Sequence, residues 1–448
     1  MFVSIFLIGL CVCFLLLQLQ PRRPKNFPPG PPCLPVLGTL LHLNLENPLK
    51  DFQRLRESYG NVYSLFMGSK PAVVINGFKA MKEAIVTKSI DFAGRPRGLF
   101  INDLMQTKGV IMADYGPIWR ERRRFALMNL KNFGLGKKSM EERILEEIQY
   151  IIETLEKNCG NTVSPQVMFH NAGSNIICQL LFGTRYEYDD ETIKLIVRCF
   201  TEITKIINSP WAMLYDSVPL IRHLPLPFNK AFEDMEIFLN IARHLVNEHK
   251  RTRVSGEPRD FVDCYLDELE NVCKYSFWPF PFRELLLQSG LSGFIDKTPP
   301  MSCSSDELIP HIIYPRHSHT EPQHLHLSSS ASYLFLSAIG TMIIQNLDSV
   351  LREEGQWKFP HEFNPENFLN EQGEFVKPEA FMPFSAGPRV CLGESLARME
   401  LFLIVVTLLR RFKFIWPEDA GEPDFTPVYG ITLTPKPYRM KVQLRSKQ

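Results

Sequence analysis

Phe384-Ser385-Ala386-Gly387-Pro388-Arg389-Val390-Cys391-Leu392-Gly393 runs directly into ESLARMELFLIVVTLLRRF (394–412), a strongly apolar stretch with helical character. A cysteine at the mouth of a helix has its thiolate stabilised by the helix dipole and by unpaired N–H groups. Gly387 and Gly393 read as places where the backbone passes close to a flat cofactor and turns without a Cβ. Arg389, two residues before the sulfur, is placed to pair with an anionic group. The plain alternative is a buried cysteine opening an apolar helix.

Upstream, from Val36 to about Asn271, the chain reads as mostly helix with a small strand component. VYSLFMG (62–68) and PAVVING (71–77) alternate, are β-branched and are separated by turn residues, which predicts a hairpin. SMEERILEEIQYIIETLEK (139–157) carries an apolar stripe at Ile144, Ile148, Ile151, Ile152 and Leu155 behind an S-x-x-E capping box. Phe232 to Lys250 follows the same pattern. SPWAMLYDSVPLIRHLPLP (209–227) is broken by four prolines and reads as an apolar loop, buried by default, with a pocket wall or a membrane surface as its other uses. Residues 272–338 mix prolines, serines and five histidines with no sustained period, as a linker or disordered segment does. Order returns at Gly340, where GTMIIQNL reads as a buried strand.

Met1–Leu17 is apolar apart from Ser4, close to the minimum of about 17 residues for a membrane-crossing helix. A cleavable signal peptide is the rival reading, but a basic leader and a small-residue cleavage site are both missing. Arg22, Arg23 and Lys25 follow the apolar run, so the positive-inside rule puts the rest of the chain in the cytosol. Pro28-Pro29-Gly30-Pro31-Pro32 then makes a stiff spacer.

With 448 residues and 45% hydrophobic content the chain can bury a large core. Its 50 basic against 49 acidic residues exclude a global nucleic-acid signature, so any basic patch is local. Ten cysteines fall in no C-x-x-C pair, which argues for reduced thiols facing the cytosol rather than a stapled secreted scaffold.

Phe-x-x-Gly-x-Arg-x-Cys-x-Gly is the haem-binding signature of the cytochrome P-450 superfamily, and every fixed position is met between Phe384 and Gly393. PPGPP with LPVLG, FAGRP (92–96), WRERRRFALMNLKNFGLGKKSMEERI (119–144), DFVDCYLDELE (260–270) and HEFNPENFLNEQGEFVKPEAFMPFSAG (361–387) resemble the microsomal family 2 branch. The resemblance implies a mainly α fold with small β-sheets, incomplete in this chain, behind an N-terminal transmembrane helix. It divides the chain into an anchor (1–20), a basic and Pro-rich linker (21–35), an N-terminal part of the domain (36–271), a replacement segment (272–338) and a C-terminal haem-binding part (339–448). It implies haem b as cofactor, Cys391 as iron ligand, and Phe384, Gly387, Arg389 and Gly393 around the haem. Trp119 and Arg123, four apart on one helix face, match a pair that holds haem propionates, and Arg95 and Arg389 match further propionate partners.

The implied activity is monooxygenation of a lipophilic small molecule (a xenobiotic, fatty acid or steroid) at the endoplasmic reticulum membrane, with the domain facing the cytosol and in contact with membrane lipid. Electrons would come from an NADPH-dependent flavoprotein reductase docked on Arg120, Arg122, Arg124, Lys131, Lys137 and Lys138, a group that otherwise reads as a solvated face. Residues 97–113 and 209–227 correspond to substrate-contacting parts of the family.

Two family features are missing from the sequence: the Ala-Gly-x-Asp/Glu-Thr motif of the helix crossing the distal haem face, and a Glu-x-x-Arg between residues 261 and 390. No intact catalytic residue is therefore identified, and the alternative is an inactive or misassembled splice or gene-model variant that at most binds haem. Oxygen-independent rearrangement on the same scaffold would excuse the first loss but not the second. His317-x-His319 and His324-x-His326 could ligate a transition metal, with a histidine-rich disordered tract as the blander account.

Overall fold

The computed structural model describes residues 23–24, 26–133, 138–274, 340–430 and 432–445. Among these, helix dominates and strands are few and short. The expected hairpin is present. β1 (Val62–Met67) pairs antiparallel with β2 (Lys70–Ile75), in register from Val62 opposite Ile75 to Met67 opposite Lys70. Its apolar residues are buried on both faces, between the helix α1 (Leu49–Tyr59) on one side and the short helical turns of residues 78–92 on the other.

After β3 (Thr162–Val163), β4 (Met342–Gln345) adds to the free edge of β2 in parallel. The GTMIIQNL segment is thus a strand, at one edge of a three-stranded sheet, and a half-buried one rather than a buried one. The second sheet joins β3, β5 (Phe412–Ile415) and β6 (Met440–Leu444), with β6 in the middle.

Two helices stand ahead of the amphipathic segment: α2 (Phe100–Met105) and α3 (Pro117–Asn132). Next comes α4 (Lys138–Lys157), in which Ile144, Ile148, Ile151, Ile152 and Leu155 are all buried, as the period requires. It begins one residue before Ser139, so this serine lies inside the helix and is not the cap of an S-x-x-E box. The stripe packs against α5 (Gln166–Phe182) and, from the far end of the chain, against the helix Glu394–Arg411.

The helix α6 (Glu191–Ile207) is capped by Asp190, which accepts from the Thr192 N–H at 2.7 Å. Residues 209–227 then depart from the expected loop. Pro210 and Pro219 stand at first-turn positions of α7 (Pro210–Ser217) and of a 3-10 turn (Pro219–His223), where a missing N–H costs nothing. The prolines start helical turns here. Burial is mixed: Ala212, Tyr215 and Ser217 are buried, whereas Leu220 is 86% exposed.

Two longer helices, α8 (Phe228–Thr252) and α9 (Phe261–Lys274), complete the N-terminal part, and α10 (Glu394–Arg411) is the last helix. No helix among the described residues is long and apolar enough to cross a membrane. Met1–Leu17 and the histidines 317, 319, 324 and 326 lie outside the described residues.

Candidate functional site

Cys391 is exposed and stands two residues before Gly393, the N-cap of α10. Its backbone N–H donates to the Phe384 carbonyl at 3.0 Å, which closes the quoted segment into a loop. The loop turns at Ser385, whose φ of 64° lies in the left-handed region unusual for a residue with a side chain. Gly387 also has a positive φ, and a Cβ there would stand 1.8 Å from the Ile85 carbonyl oxygen. The turn at residues 83–87, packed against the loop, by itself requires a glycine there. At Gly393 φ is −91° and nothing lies within 4 Å of a Cβ, so the described residues make no steric demand there.

Three guanidinium groups gather on the N-terminal side of this loop. Arg389 donates to the carbonyls of Ala93 (2.8 Å), Val110 (3.3 Å) and Ala113 (2.9 Å) and lies 4.1 Å from the centre of the Trp119 ring. Arg95 donates through Nε to Ile111 O at 2.8 Å. Arg123 donates to Val390 O at 2.5 Å, next to the cysteine, and lies 5.5 Å from the same indole. Trp119 itself is buried and donates to Val110 O at 2.9 Å. Pro117 at the first turn of α3 fixes where this helix starts, and the four-residue spacing of Trp119 and Arg123 does put them side by side.

The hydrogen-bond acceptors for these side chains are neutral carbonyls, so the three positive charges have little compensation apart from Asp114. Burial lowers the Arg389 pKa to about 10, with the like charges of Arg95 and Arg123 adding to the effect. Burial also holds Arg95 and Arg123 below the usual arginine value, opposed by Asp114 for the first and by the nearby Cys391 for the second. Asp114 is the acid within reach, and it is shared: it accepts from the backbone of Arg95 at 3.2 Å and pairs with the exposed Arg97 at 3.0 Å.

A cleft of about 650 Å³ opens beside this group, lined by Arg95, Asn102, Lys108, Asp114, Trp119 and Arg122 among others. Arg122 is half-buried in that wall, which turns it away from the rest of the basic cluster. Arg120, Arg124, Lys131 and Lys138 are exposed, with Arg124 paired to Glu121 at 2.9 Å, and Lys137 lies outside the described residues.

The residues 97–105 and 210–223 that flank the site are clasped together. Phe100 N–H donates to Asp216 at 2.5 Å, Tyr215 OH donates to Asp103 at 2.9 Å, and both Lys70 (2.5 Å) and Arg222 (3.0 Å) donate to the Gly98 carbonyl. Beneath these bonds Phe100 meets Tyr215 and Phe232 edge to face at 5.2 and 5.5 Å.

Motif reading missed Asp114, the clasp and the ion pair of Arg398 with Glu394 at 2.9 Å. Only the last left a trace, its four-residue spacing in the quoted helix. Elsewhere His249, Asp260 and Asp263 could hold an ion, but Arg259 grips Asp263 with two nitrogens at 2.6 and 3.1 Å.

The sequence profile of the family described as Cytochrome P-450 matches residues 28–276 and 335–442. Among curated proteins, mouse (Mus musculus) cytochrome P-450 2D26 is 34% identical, covering 96% of this chain and 96% of its own length. Mouse cytochrome P-450 2D10 is 34% identical over 99% of this chain and 97% of its own length. The pig (Sus scrofa) vitamin D(3) 25-hydroxylase is 35% identical over 98% and 97%. A match of this extent, on a mainly helical fold with small sheets, leaves one assignment: the chain belongs to the cytochrome P-450 family, family 2, whose members are monooxygenases with haem as cofactor.

Proposed function

We propose that this chain holds haem b through Cys391 and oxidises a lipophilic small molecule. The carrying observation is the gathering of Arg95, Arg123 and Arg389 around Trp119 beside an exposed cysteine, with carbonyls rather than carboxylates as their partners. Three half-buried guanidiniums side by side, two of which lower the pKa of the third, Arg389, suit an anion, and the two propionates of haem b would meet that need. A soft thiolate is at the same time a suitable protein ligand for haem iron. The donor set therefore fits the group.

Haem, when bound to a thiolate, supplies the oxygen-activating chemistry of the family. The chain's own residues do the rest. Cys391 would offer its sulfur from the mouth of α10, two residues before the helix cap Gly393. Arg95, Arg123 and Arg389 orient and neutralise the carboxylates, and the indole of Trp119 stays hydrogen-bonded to Val110 so that the guanidiniums stack on a fixed surface. The clasped segments 97–105 and 210–223 flank one side of the site, over a buried apolar cluster that includes Phe100, Leu104 and Tyr215. A lipophilic substrate also fits the name of the pig relative, a vitamin D(3) 25-hydroxylase.

The exposed Arg120, Arg124, Lys131 and Lys138 form the face on which an NADPH-dependent reductase would dock, since charge complementarity raises encounter rates. Residues 1–20 are proposed as an anchor in the endoplasmic reticulum membrane, with the catalytic part in the cytosol.

The test is to express the chain in membranes, reduce it, add carbon monoxide and record the Soret band. A thiolate-type spectrum that is lost in Cys391→Ala supports the reading, and NADPH consumption with reductase and substrate extends it to turnover. Absence of haem uptake by the unaltered chain overturns it. Uptake without NADPH consumption would favour the inactive alternative, which the family profile's interruption between residues 276 and 335 keeps in view.

A further inference from the structure

Cys391 has two covalent approaches: the loop that starts at Phe384 and the helix that starts at Glu394. The two are joined by one side chain. Arg398, in the second turn of α10, places its guanidinium carbon 5.3 Å from the centre of the Phe384 ring and 5.4 Å from that of Phe381. Its Nε donates to Glu394 at 2.9 Å. Its Nη2 lies 2.9 Å from the same carboxylate oxygen, yet is shut off from water and makes no aligned hydrogen bond. The group is thus oriented chiefly by the two rings.

The rings are themselves anchored. Phe381 meets Phe368 edge to face at 4.9 Å and Trp357 at 6.2 Å. Trp357 donates to the carbonyl of Val350, which is fully buried in the core around the first sheet. A continuous line of contacts runs from that core through Trp357, Phe368, Phe381 and Arg398 to Phe384, whose carbonyl holds the Cys391 N–H.

We infer that Arg398 is a positioning residue: its guanidinium, laid against Phe381 and Phe384, fixes the Phe384–Cys391 loop and so the direction in which Cys391 presents its sulfur. Outer contacts that orient a ligand are a general need of metal sites. The functional meaning rests on Cys391 being the iron ligand; the structural claim does not. The Glu394 pair contributes little, because 40% of the Arg398 side chain and 29% of that of Glu394 are exposed and an ion pair of this kind is weak. The ring contacts account for roughly a tenfold restraint on loop opening.

Hydrogen exchange of the full-length chain, followed by mass spectrometry on peptides covering residues 384–393 and 138–157, separates these contributions. Arg398→Ala and Arg398→Lys are both expected to speed exchange in 384–393 about tenfold while leaving 138–157 unchanged, since lysine keeps the charge but loses the flat face. Glu394→Gln is expected to leave both peptides as they are. An Arg398→Lys chain that exchanges like the unaltered one, or a Glu394→Gln chain that opens as much as Arg398→Ala, overturns the inference. Because exchange is read with or without haem, it decides the role of Arg398 even if the carbonyl spectrum shows that no haem is bound. On haem-loaded chain the same two Arg398 variants are expected to lose part of the thiolate-type band.

Discussion

Two charged clusters lie within a few residues of each other in this chain and are built on opposite plans. In the clasp, Lys70 and Arg222 face Asp103 and Asp216, two cations and two anions, over the aromatic packing of Phe100, Tyr215 and Phe232. Around Trp119, Arg95, Arg123 and Arg389 face one shared acid, Asp114, and otherwise donate to carbonyls. A cluster that neutralises itself serves the fold. One that does not suits a ligand of opposite sign, the role proposed above for the three arginines. Exposure does not separate the two groups, since Arg222 and Arg389 are both half-buried.

The sharpest break of the clasp is in its apolar base. Phe100 is 1% exposed and packed against two rings, so Phe100→Ala is expected to cost about 3–5 kcal/mol in denaturant unfolding, with no comparable loss from substitutions of the three arginines around Trp119.

The next effect is a pH dependence. Burial raises Asp216 from 3.8 to about 6, opposed by the Phe100 N–H and by Lys70 and Arg222. Between about pH 4 and pH 6 the folded chain therefore binds a proton that the unfolded chain has released, and stability falls as pH rises through that window. Asp216→Asn keeps the acceptor for Phe100 and removes the titration. The stability difference between this variant and the unaltered chain is expected to grow in the variant's favour by about 2–3 kcal/mol from pH 4 to pH 6. A difference that is flat with pH would show that Asp216 ionises freely within the clasp.

The smallest effect contrasts the two kinds of arginine directly. Arg222→Met removes a cation from a balanced group and is expected to destabilise by about 1–2 kcal/mol. Arg389→Met relieves like-charge repulsion as it deletes three bonds to carbonyls, and is expected to change haem-free stability by less than about 1 kcal/mol while weakening haem retention at least tenfold. Equal losses of stability in both variants would remove the distinction between the clusters.

Much of the site was legible because its signals are local. The Phe384–Gly393 signature, the spacing of Trp119 and Arg123 and the period of α4 each depend on residues within one loop or one helix face. Residues 209–227 were misread because proline alone does not say whether it ends a helical turn or begins one; the cap at Ser209, which accepts from the Trp211 N–H at 3.3 Å, decides it. The strand at Met342–Gln345 reads as buried because it is mostly apolar, and it is half-buried at one edge of its sheet, whereas the opposite edge strand, β1, is buried.

By itself the sequence determined a cysteine at the mouth of an apolar helix, a hairpin and a helical body, which follow from periodicity and from motifs with short spacing. Of the three arginines, Arg389 stands in the motif, whereas Arg95 and Arg123 are singled out only by the family resemblance. The tertiary structure alone decided which partners those arginines have, because Arg389 and Ala93 are 296 positions apart and Arg123 and Val390 are 267. It also decided that Gly387 answers to the Ile85 carbonyl, that Asp114 is the lone counter-charge among the described neighbours of the three arginines, and that Arg398 bridges the loop before Cys391 to the helix after it. Contacts of that kind depend on which surfaces the fold brings together, and no local pattern of residues encodes them.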